Sequence, residues 1–481
     1  MPQLHFLILS FPAQGHINPA IQFAKRLVRT GSHVTFVTSV SAHRRMTNTV
    51  TLDGLTYTSF SDGYDDGFKP GDNLLHYMAE IKRHGSQALM DISVAATNEH
   101  RPVTFIVYNF LLPWVADLAR DLQVPSSLLW IQPASVLNIY YYYFNGYGDF
   151  VDKNISNPSF SMELPGLPLL TSKDLPSFFL PTNPQPHTLS LFKELIVTLE
   201  KETKARVLVN SFEALEGEAL RAIDKFNMVA IGPLIPSAFL DGKDPSDTSF
   251  GGDMSFFSSR DYYMEWLNQK PDASVVYVSF GTTSRLSKKQ VREIAGGLLE
   301  SRRPFLWVLR PAPEENDKEE GDVVENMEEL KQEGMVIPWC SQVEVLCHRS
   351  IGCFVTHCGW NSTLEGLVAG VPMVTFPQWS DQATNAKLIR DVWQTGLRLE
   401  VNEAQLVEGD ELKRSIEIVM EGGRGEQMRG NAKRWKDLAR EAVMDGGSSD
   451  KNLNAFVDDV RLLDSPVCGV ERILDSASAK T

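Results

Sequence analysis

Residues Trp339 to Gln382 hold the densest set of groups able to do chemistry in this chain. A strand-like apolar run, Ile351 to Thr356, leads into His357-Cys358-Gly359-Trp360-Asn361-Ser362. A helix-like run, Thr363 to Ala369, follows, and Gly370 stops it. A strand that enters a glycine turn and then a helix start offers free N–H groups and the positive end of a dipole, which favour phosphate. The ring of Trp339 is suited to stacking on a base. Glu365 can accept two hydrogen bonds from a vicinal diol, and the acid–amide pair Asp381-Gln382 can hold sugar hydroxyls. In this order the pieces suit a nucleotide-sugar. A second reactive group is His16, in a glycine-flanked turn after the first apolar run. An imidazole with an ordinary pKa near about 6.5 is suited to taking a proton from a hydroxyl.

The surrounding elements decide where these groups stand. Leu4 to Leu9 reads as a buried strand, His33 to Val37 as the next and Thr104 to Tyr108 as a later one. Asn18-Pro19 reads as an N-cap and first-turn proline of a helix that runs through Arg29 and ends at Gly31. This βαβ pattern implies a parallel sheet with ligand sites at the carboxyl ends of its strands, where His16 lies. The composition then shifts to Asp, Gly, Ser and Pro, and Asp241 to Asp253 reads as a linker. A second βα series follows, with strands at Val275 to Phe280 and Phe305 to Leu309 and a capping box of Ser287 with Gln290. The acidic run Glu314 to Glu333 reads as a solvated surface.

With 481 residues and 43% hydrophobic content, the chain is long enough for two or three domains with sizeable cores. A formal charge of −15 argues against nucleic acid and anionic membrane surfaces. It is compatible with an anionic ligand, because helix N-termini bind phosphate without net basic charge. The five cysteines lack the paired spacing of a zinc site and suit a reducing compartment. Asp65-Asp66 lacks the spacing of a metal-binding D-x-D pair. The first apolar run is too short to span a membrane, and Pro12 ends it. The expectation is a cytoplasmic monomer without metal or cofactor.

The Trp339–Gln382 stretch closely resembles the signature box of plant family 1 UDP-glycosyltransferases over its full length. The likeness extends from Pro12–Ala20 (PAQGHINPA) to Gly446–Leu453 (GGSSDKNL). The resemblance implies an α/β fold of the GT-B type, two Rossmann-like domains facing a cleft. It divides the chain into an acceptor domain (1–240), a linker (241–260), a donor domain (261–450), a helix crossing back to the first domain (451–463) and a tail (464–481). It implies UDP-glucose as donor. Trp339 would stack on uracil, Cys340 would meet its edge through the main chain, and Gln342 and Glu365 would hold ribose. His357, Gly359, Asn361 and Ser362 would cradle the diphosphate, helped by Thr282. Asp381 and Gln382 would bind glucose, with Trp360 contributing main-chain contacts and Gln132 reaching the 6-hydroxyl. His16 would be the general base of an inverting single displacement.

In that family the histidine is usually paired with an aspartate. Here the matching position is Asn109, since an amide can orient an imidazole but cannot stabilise its cation as a carboxylate does. Asp117 lies two helical turns further on and is no obvious substitute. The chain also resembles the subgroup of anthocyanin 5-O-glucosyltransferases and enzymes that make glucose esters of acids such as crocetin, where the aspartate is often missing. A carboxylic acid acceptor, with a pKa near ~4, needs little deprotonation; a phenol near ~10 needs more. Asn109 therefore tilts the reading towards carboxylates or acidic flavonoid hydroxyls. The acceptor is expected to be small and apolar or aromatic, in a pocket drawn from Phe110, Gln132 and the run Ile139 to Phe144. At least half of the four tyrosines in that run should serve packing. The competing readings are an epimerase or phosphorylase on the same fold, and a non-catalytic metabolite-binding protein.

Overall fold

The computed structural model describes residues 3–46, 52–69, 71–157, 159–181, 183, 187–250, 260–282, 284, 286–310 and 327–463. Most of the acidic run and the whole of the tail lie outside these residues.

Buried β-rich runs in the first half form β1 (His5–Leu9), β2 (His33–Ser39), β3 (Leu55–Phe60), β4 (Phe105–Asn109) and β5 (Ser126–Trp130). The short pair β6 (Ser161–Met162) and β7 (Leu170–Thr171) follows, then β8 (Ala205–Val209) and β9 (Phe226–Ala230). Seven of them form one parallel sheet in the order β3-β2-β1-β4-β5-β8-β9. Chain direction across the sheet reverses between β1 and β4, and a crevice opens there at the strands' carboxyl ends. The second half supplies β10 (Val275–Ser279), β11 (Phe305–Val308), β12 (Met335–Ile337), β13 (Ile351–Thr356), β14 (Met373–Thr375) and β15 (Gly396–Arg398). They form a parallel six-stranded sheet in the order β12-β11-β10-β13-β14-β15, which reverses between β10 and β13. Both halves are Rossmann-like, with strands buried on both faces as parallel sheets require.

The last described helix, Ser448–Leu463, packs on the first sheet rather than the second. Phe456 contacts Phe105 at 5.2 Å and Phe6 at 5.8 Å. Ser449 Oγ donates to the Gly232 carbonyl at 2.6 Å. No helix among the described residues is long and apolar enough to cross a membrane.

Three local readings need correction. The first helix begins at Gln14, not at Asn18, and carries Pro19 inside it. A proline there removes one N–H, so the carbonyl four residues back, that of Gly15, loses its intrahelical donor. Ser287 does cap its helix, accepting from Gln290 N–H at 3.2 Å. The Gln290 side chain does not reciprocate. It pairs instead with the Val407 main chain, through Nε2 at 2.9 Å and Oε1 at 2.9 Å. The segment from Asp241 is not a loose tether, as far as it is described. Asp247 is buried, takes Lys25 Nζ at 2.5 Å and accepts from Ser237 N–H at 2.9 Å. This strap binds the chain between the halves to the helix that carries His16.

Candidate active site

At the second switch point, β10 ends at Gly281 and β13 ends at His357. The His357 imidazole is buried between Gly281 and Gly359. A Cβ on Gly281 would lie 2.5 Å from its Nε2 and one on Gly359 2.7 Å from it. Gly281 also has φ +75°, so both the space and the backbone require glycine. Burial pulls the His357 pKa down to about 4, against the Ser279 backbone, which raises it, so the ring is a neutral hydrogen-bonding group. The helix Trp360–Ala369 starts at once behind Gly359 and is ended by Gly370 at φ +74°. Its first turn points free N–H groups into the crevice.

Among the residues expected to hold the nucleoside, those for the ribose are hydrogen-bonded to one another. Gln342 Nε2 donates to Ser362 Oγ at 2.8 Å and to Glu365 Oε2 at 2.7 Å. Tyr277 Oη donates to Gln342 Oε1 at 3.2 Å. Burial lifts the Glu365 carboxyl to about 7, and the Gln342 hydrogen bond lowers it. Cys340 turns its thiol inward, 3.3 Å from Tyr277 Oη, and burial pushes that thiol up to about 12. Its main chain is what it can offer a base. Trp339, half-buried, lies just beyond β12. The Thr282 side chain is exposed in the turn after β10, and its carbonyl accepts from Arg310 at 3.0 Å. Tyr277 was not singled out from sequence. Its place inside a buried strand run reads as core, and only its hydroxyl, reaching Gln342, marks it.

The residues expected to meet the sugar lie in and beside the turn before the helix Gln382–Lys387. Gln382 Oε1 accepts from Gln378 N–H at 2.8 Å and Trp379 N–H at 3.1 Å, which leaves its NH₂ group for a ligand. Asp381 accepts from Asn385 at 2.7 Å, and burial raises its carboxyl to about 6. Gln132, from the first half, is 7% exposed and donates to Ser380 Oγ at 3.4 Å. Its Oε1 is buried without a partner among the described residues. The Trp360 indole points away from the crevice, donating to the Asn210 carbonyl of the first half at 2.8 Å. Only its main chain can face a ligand.

At the first switch point, His16 is half-buried, with Phe110 at 4.9 Å and Phe11 at 5.2 Å. Desolvation pulls its pKa down to about 3. Asn109, at the end of β4, is fully buried, but its Oδ1 accepts from Ser10 Oγ at 2.9 Å and Phe11 N–H at 3.0 Å. Among the described residues no hydrogen bond joins it to His16. The Phe11 N–H can only donate, so it fixes the amide with oxygen towards Phe11 and NH₂ away. His16 Nδ1, Asn18 Oδ1 and Asn109 Nδ2 are all buried without partners among the described residues. Asp117 is no substitute. It is a surface group paired with Arg120 and Lys201. All four tyrosines of the aromatic run have packing or polar partners. Tyr140 stacks on Phe192 at 3.8 Å, Tyr141 lies against Phe226, Tyr142 donates to the Ala222 carbonyl and Tyr143 to Asp152.

One contact joins the two switch points. Asn361 Nδ2 donates to the Gly15 carbonyl at 2.9 Å, the same carbonyl that Pro19 leaves without its helical partner. The second hydrogen on that nitrogen remains available to a phosphate oxygen. The His16 turn and the start of the helix Trp360–Ala369 thus sit on either side of one side chain.

Residues 259–434 match the family described as UDP-glucoronosyl and UDP-glucosyl transferase. The chain is 59% identical to a phloretin 4'-O-glucosyltransferase of Malus domestica, over 96% of this chain and 99% of that protein. It is 56% identical to a crocetin glucosyltransferase, chloroplastic, of Gardenia jasminoides, over 95% and 97%. It is 55% identical to an anthocyanidin 3-O-glucoside 5-O-glucosyltransferase of Verbena hybrida, over 96% and 99%. Among solved structures it is similar to Os79 from O. sativa in complex with UDP, with 33% identity, a TM-score of 0.80 and coverage of 95% of this chain and 100% of that one. The chain belongs to the UDP-glucuronosyl and UDP-glucosyl transferase family, with the GT-B fold. It is an enzyme of the plant UDP-glucosyltransferase type.

Proposed function

We propose that this protein transfers glucose from UDP-glucose, with inversion, to a small aromatic or apolar plant metabolite whose acceptor group ionises easily. The observation that carries this reading is the Asn361–Gly15 hydrogen bond, which sets the His16 turn directly opposite the diphosphate cradle. In that arrangement Trp339 and the main chain of Cys340 hold uracil, and Gln342 and Glu365 hold ribose. His357, Asn361, Ser362, Thr282 and the turn at Gly359 hold the diphosphate. Asp381, Gln382 and Gln132 hold glucose. The acceptor oxygen, relieved of its proton by His16, attacks the anomeric carbon from the face opposite UDP, and one displacement turns an α-linked donor into a β-glucoside. Helix N–H groups and hydroxyls meet the charge that develops on UDP.

The acceptor class follows from the base. An imidazole whose protonated form is disfavoured by desolvation and has no carboxylate partner is a weak base. It serves a carboxylic acid or an acidic flavonoid hydroxyl better than a simple phenol. The relatives named for phloretin, crocetin and anthocyanidin glucosides span these chemistries. The test is UDP release from UDP-glucose against a panel of carboxylic acids, flavonoid hydroxyls and simple phenols. Turnover with acids and acidic hydroxyls ahead of simple phenols is expected. Release with none of them, despite UDP binding, would sink the transferase reading in favour of a metabolite-binding role.

A further inference from the structure

The turn that carries Asp381 and Gln382 does not hold its own shape. Ser380, the residue before them, has φ +61°, a left-handed conformation that a serine rarely adopts unaided. What holds it comes from the other half of the molecule. Ser177 N–H donates to the Ser380 carbonyl at 2.9 Å, and Ser380 N–H donates to Ser177 Oγ at 2.7 Å, so both main-chain groups of the strained residue are closed by one partner. Gln132 Nε2 reaches Ser380 Oγ. The same first-half loop is anchored around the turn at other points. Asp174, 3% exposed, accepts from Arg398 at 3.2 Å and lies 3.8 Å from Lys387 Nζ, and its carbonyl accepts from Thr384 Oγ1 at 2.7 Å. Phe178 meets Trp379 edge-on at 6.1 Å. Asp174 is itself fixed by Thr171, whose N–H and hydroxyl donate to its other oxygen at 3.0 and 2.7 Å.

We propose that Ser177, seated by Asp174, is a positioning residue for the transferred sugar: the acceptor half sets the conformation of the turn that presents Asp381 and Gln382, and so sets part of the enzyme's discrimination between hexoses without touching the donor. The proposal rests on the reading of that turn as the glucose site. It predicts that losing the clasp harms recognition of the sugar and spares recognition of UDP, because the groups read as ribose and diphosphate contacts stand on other elements, at the ends of β10 and β13 and on the helices Gln342–Leu346 and Trp360–Ala369.

The experiment compares the parent with Ser177→Ala, Ser177→Thr and Gln382→His. Calorimetry gives Kd for UDP, and competition between UDP-glucose and UDP-galactose gives the ratio of kcat/KM values. In Ser177→Ala the UDP Kd should stay within about twofold, while the glucose preference falls roughly threefold to tenfold, the scale of one buried hydrogen bond. Ser177→Thr keeps the hydroxyl and should restore the ratio. Gln382→His, at a residue that would face the sugar, should shift the ratio towards galactose. If UDP and UDP-glucose recognition weaken equally in Ser177→Ala, the loop acts on the assembly of the halves as a whole and the proposal is overturned. An unchanged ratio in Ser177→Ala, beside a shifted one in Gln382→His, overturns it alone. An unchanged ratio in both overturns the reading of the turn itself.

Discussion

The two sheets use the same device, a crevice where strand order reverses, and fill it in opposite ways. In the second half most of the site's polar side chains are paired in advance: Gln342 links Tyr277, Ser362 and Glu365, and only His357 Nδ1, framed by two glycines, joins the buried atoms without a partner among the described residues there. In the first half, buried polar atoms on His16, Asn18 and Asn109 stand without partners among the described residues, and the His16 ring lies against Phe11 and Phe110. A preorganised network recognises one ligand and holds it at little cost in reorganisation. A reactive group left among apolar surfaces instead leaves its chemistry to whatever enters. On the proposed function, the second half is built for one donor molecule, and the first half for a class of acceptors.

The largest expected effect lies at the reactive end. With a hydroxyl acceptor, His16→Ala should lower kcat by roughly 10²- to 10⁴-fold, the usual worth of general base assistance, and with an already ionised carboxylic acid by less, while the Kd for UDP measured by calorimetry stays near the parent's. An equal loss of UDP affinity would mean that the two crevices are not separable in function.

Next comes Asn109→Asp. Its carboxylate should still accept from Ser10 and Phe11 and place a second oxygen where the NH₂ group now is. Negative charge there raises the imidazole's basicity. For a phenol, kcat/KM should rise by part of that same range. For a carboxylic acid it should change little or fall, because the acceptor is already ionised and is repelled. Equal changes for both acceptors would show that charge at position 109 does not tune the histidine.

A smaller effect belongs to the donor half and is read through pH. In the unliganded chain the Glu365 carboxyl sits at about 7, raised by burial. Ribose hydroxyls favour its ionised form, so binding expels a proton below that value. UDP-glucose, whose diphosphate does not titrate in this range, should therefore bind more weakly as pH falls from 8 to 6, by up to about tenfold per unit. Glu365→Gln should bind more weakly at pH 8 and lose the bend near 7. A second bend near 6 should come from Asp381 and vanish in Asp381→Asn. An unchanged profile in Asp381→Asn would remove Asp381 from the sugar site. The smallest expected effect is that of EDTA. Helix N–H groups and hydroxyls can meet the leaving charge, so activity should be largely retained, and complete loss restored by Mg²⁺ or Mn²⁺ would contradict this.

What could be read from sequence follows the same divide. The donor crevice is written in one stretch, because a strand, a turn and a helix start are contiguous and their chemistry is local. The sheet pattern was legible for the same reason, from runs such as Leu4–Leu9 and Val275–Phe280. What escaped depends on partners far away in the chain. The Ser177 loop has no local signal, because its meaning lies in Ser380. Asp247 sits in a stretch with a linker's composition, and the only hint of its role was Lys25, placed at helical spacing from Ile21 and Val28 on an otherwise buried face. Asn18-Pro19 gave a strong helix-start signal that the structure declines. A proline can lie inside a helix when the carbonyl it orphans finds another donor, and that donor is 346 residues away.

That carbonyl sets stability against activity at a single position. By the usual rules of helix design, Pro19→Ala is an attractive stabilising change, since it restores a main-chain hydrogen bond and removes a residue that helices tolerate poorly. The restored N–H would compete for the Gly15 carbonyl, the acceptor that Asn361 uses to hold the His16 turn to the helix Trp360–Ala369. Variants ranked at this position by melting temperature and by turnover should come out in opposite orders. An engineer optimising this scaffold for heat would first have to exempt the residue that looks like its clearest flaw.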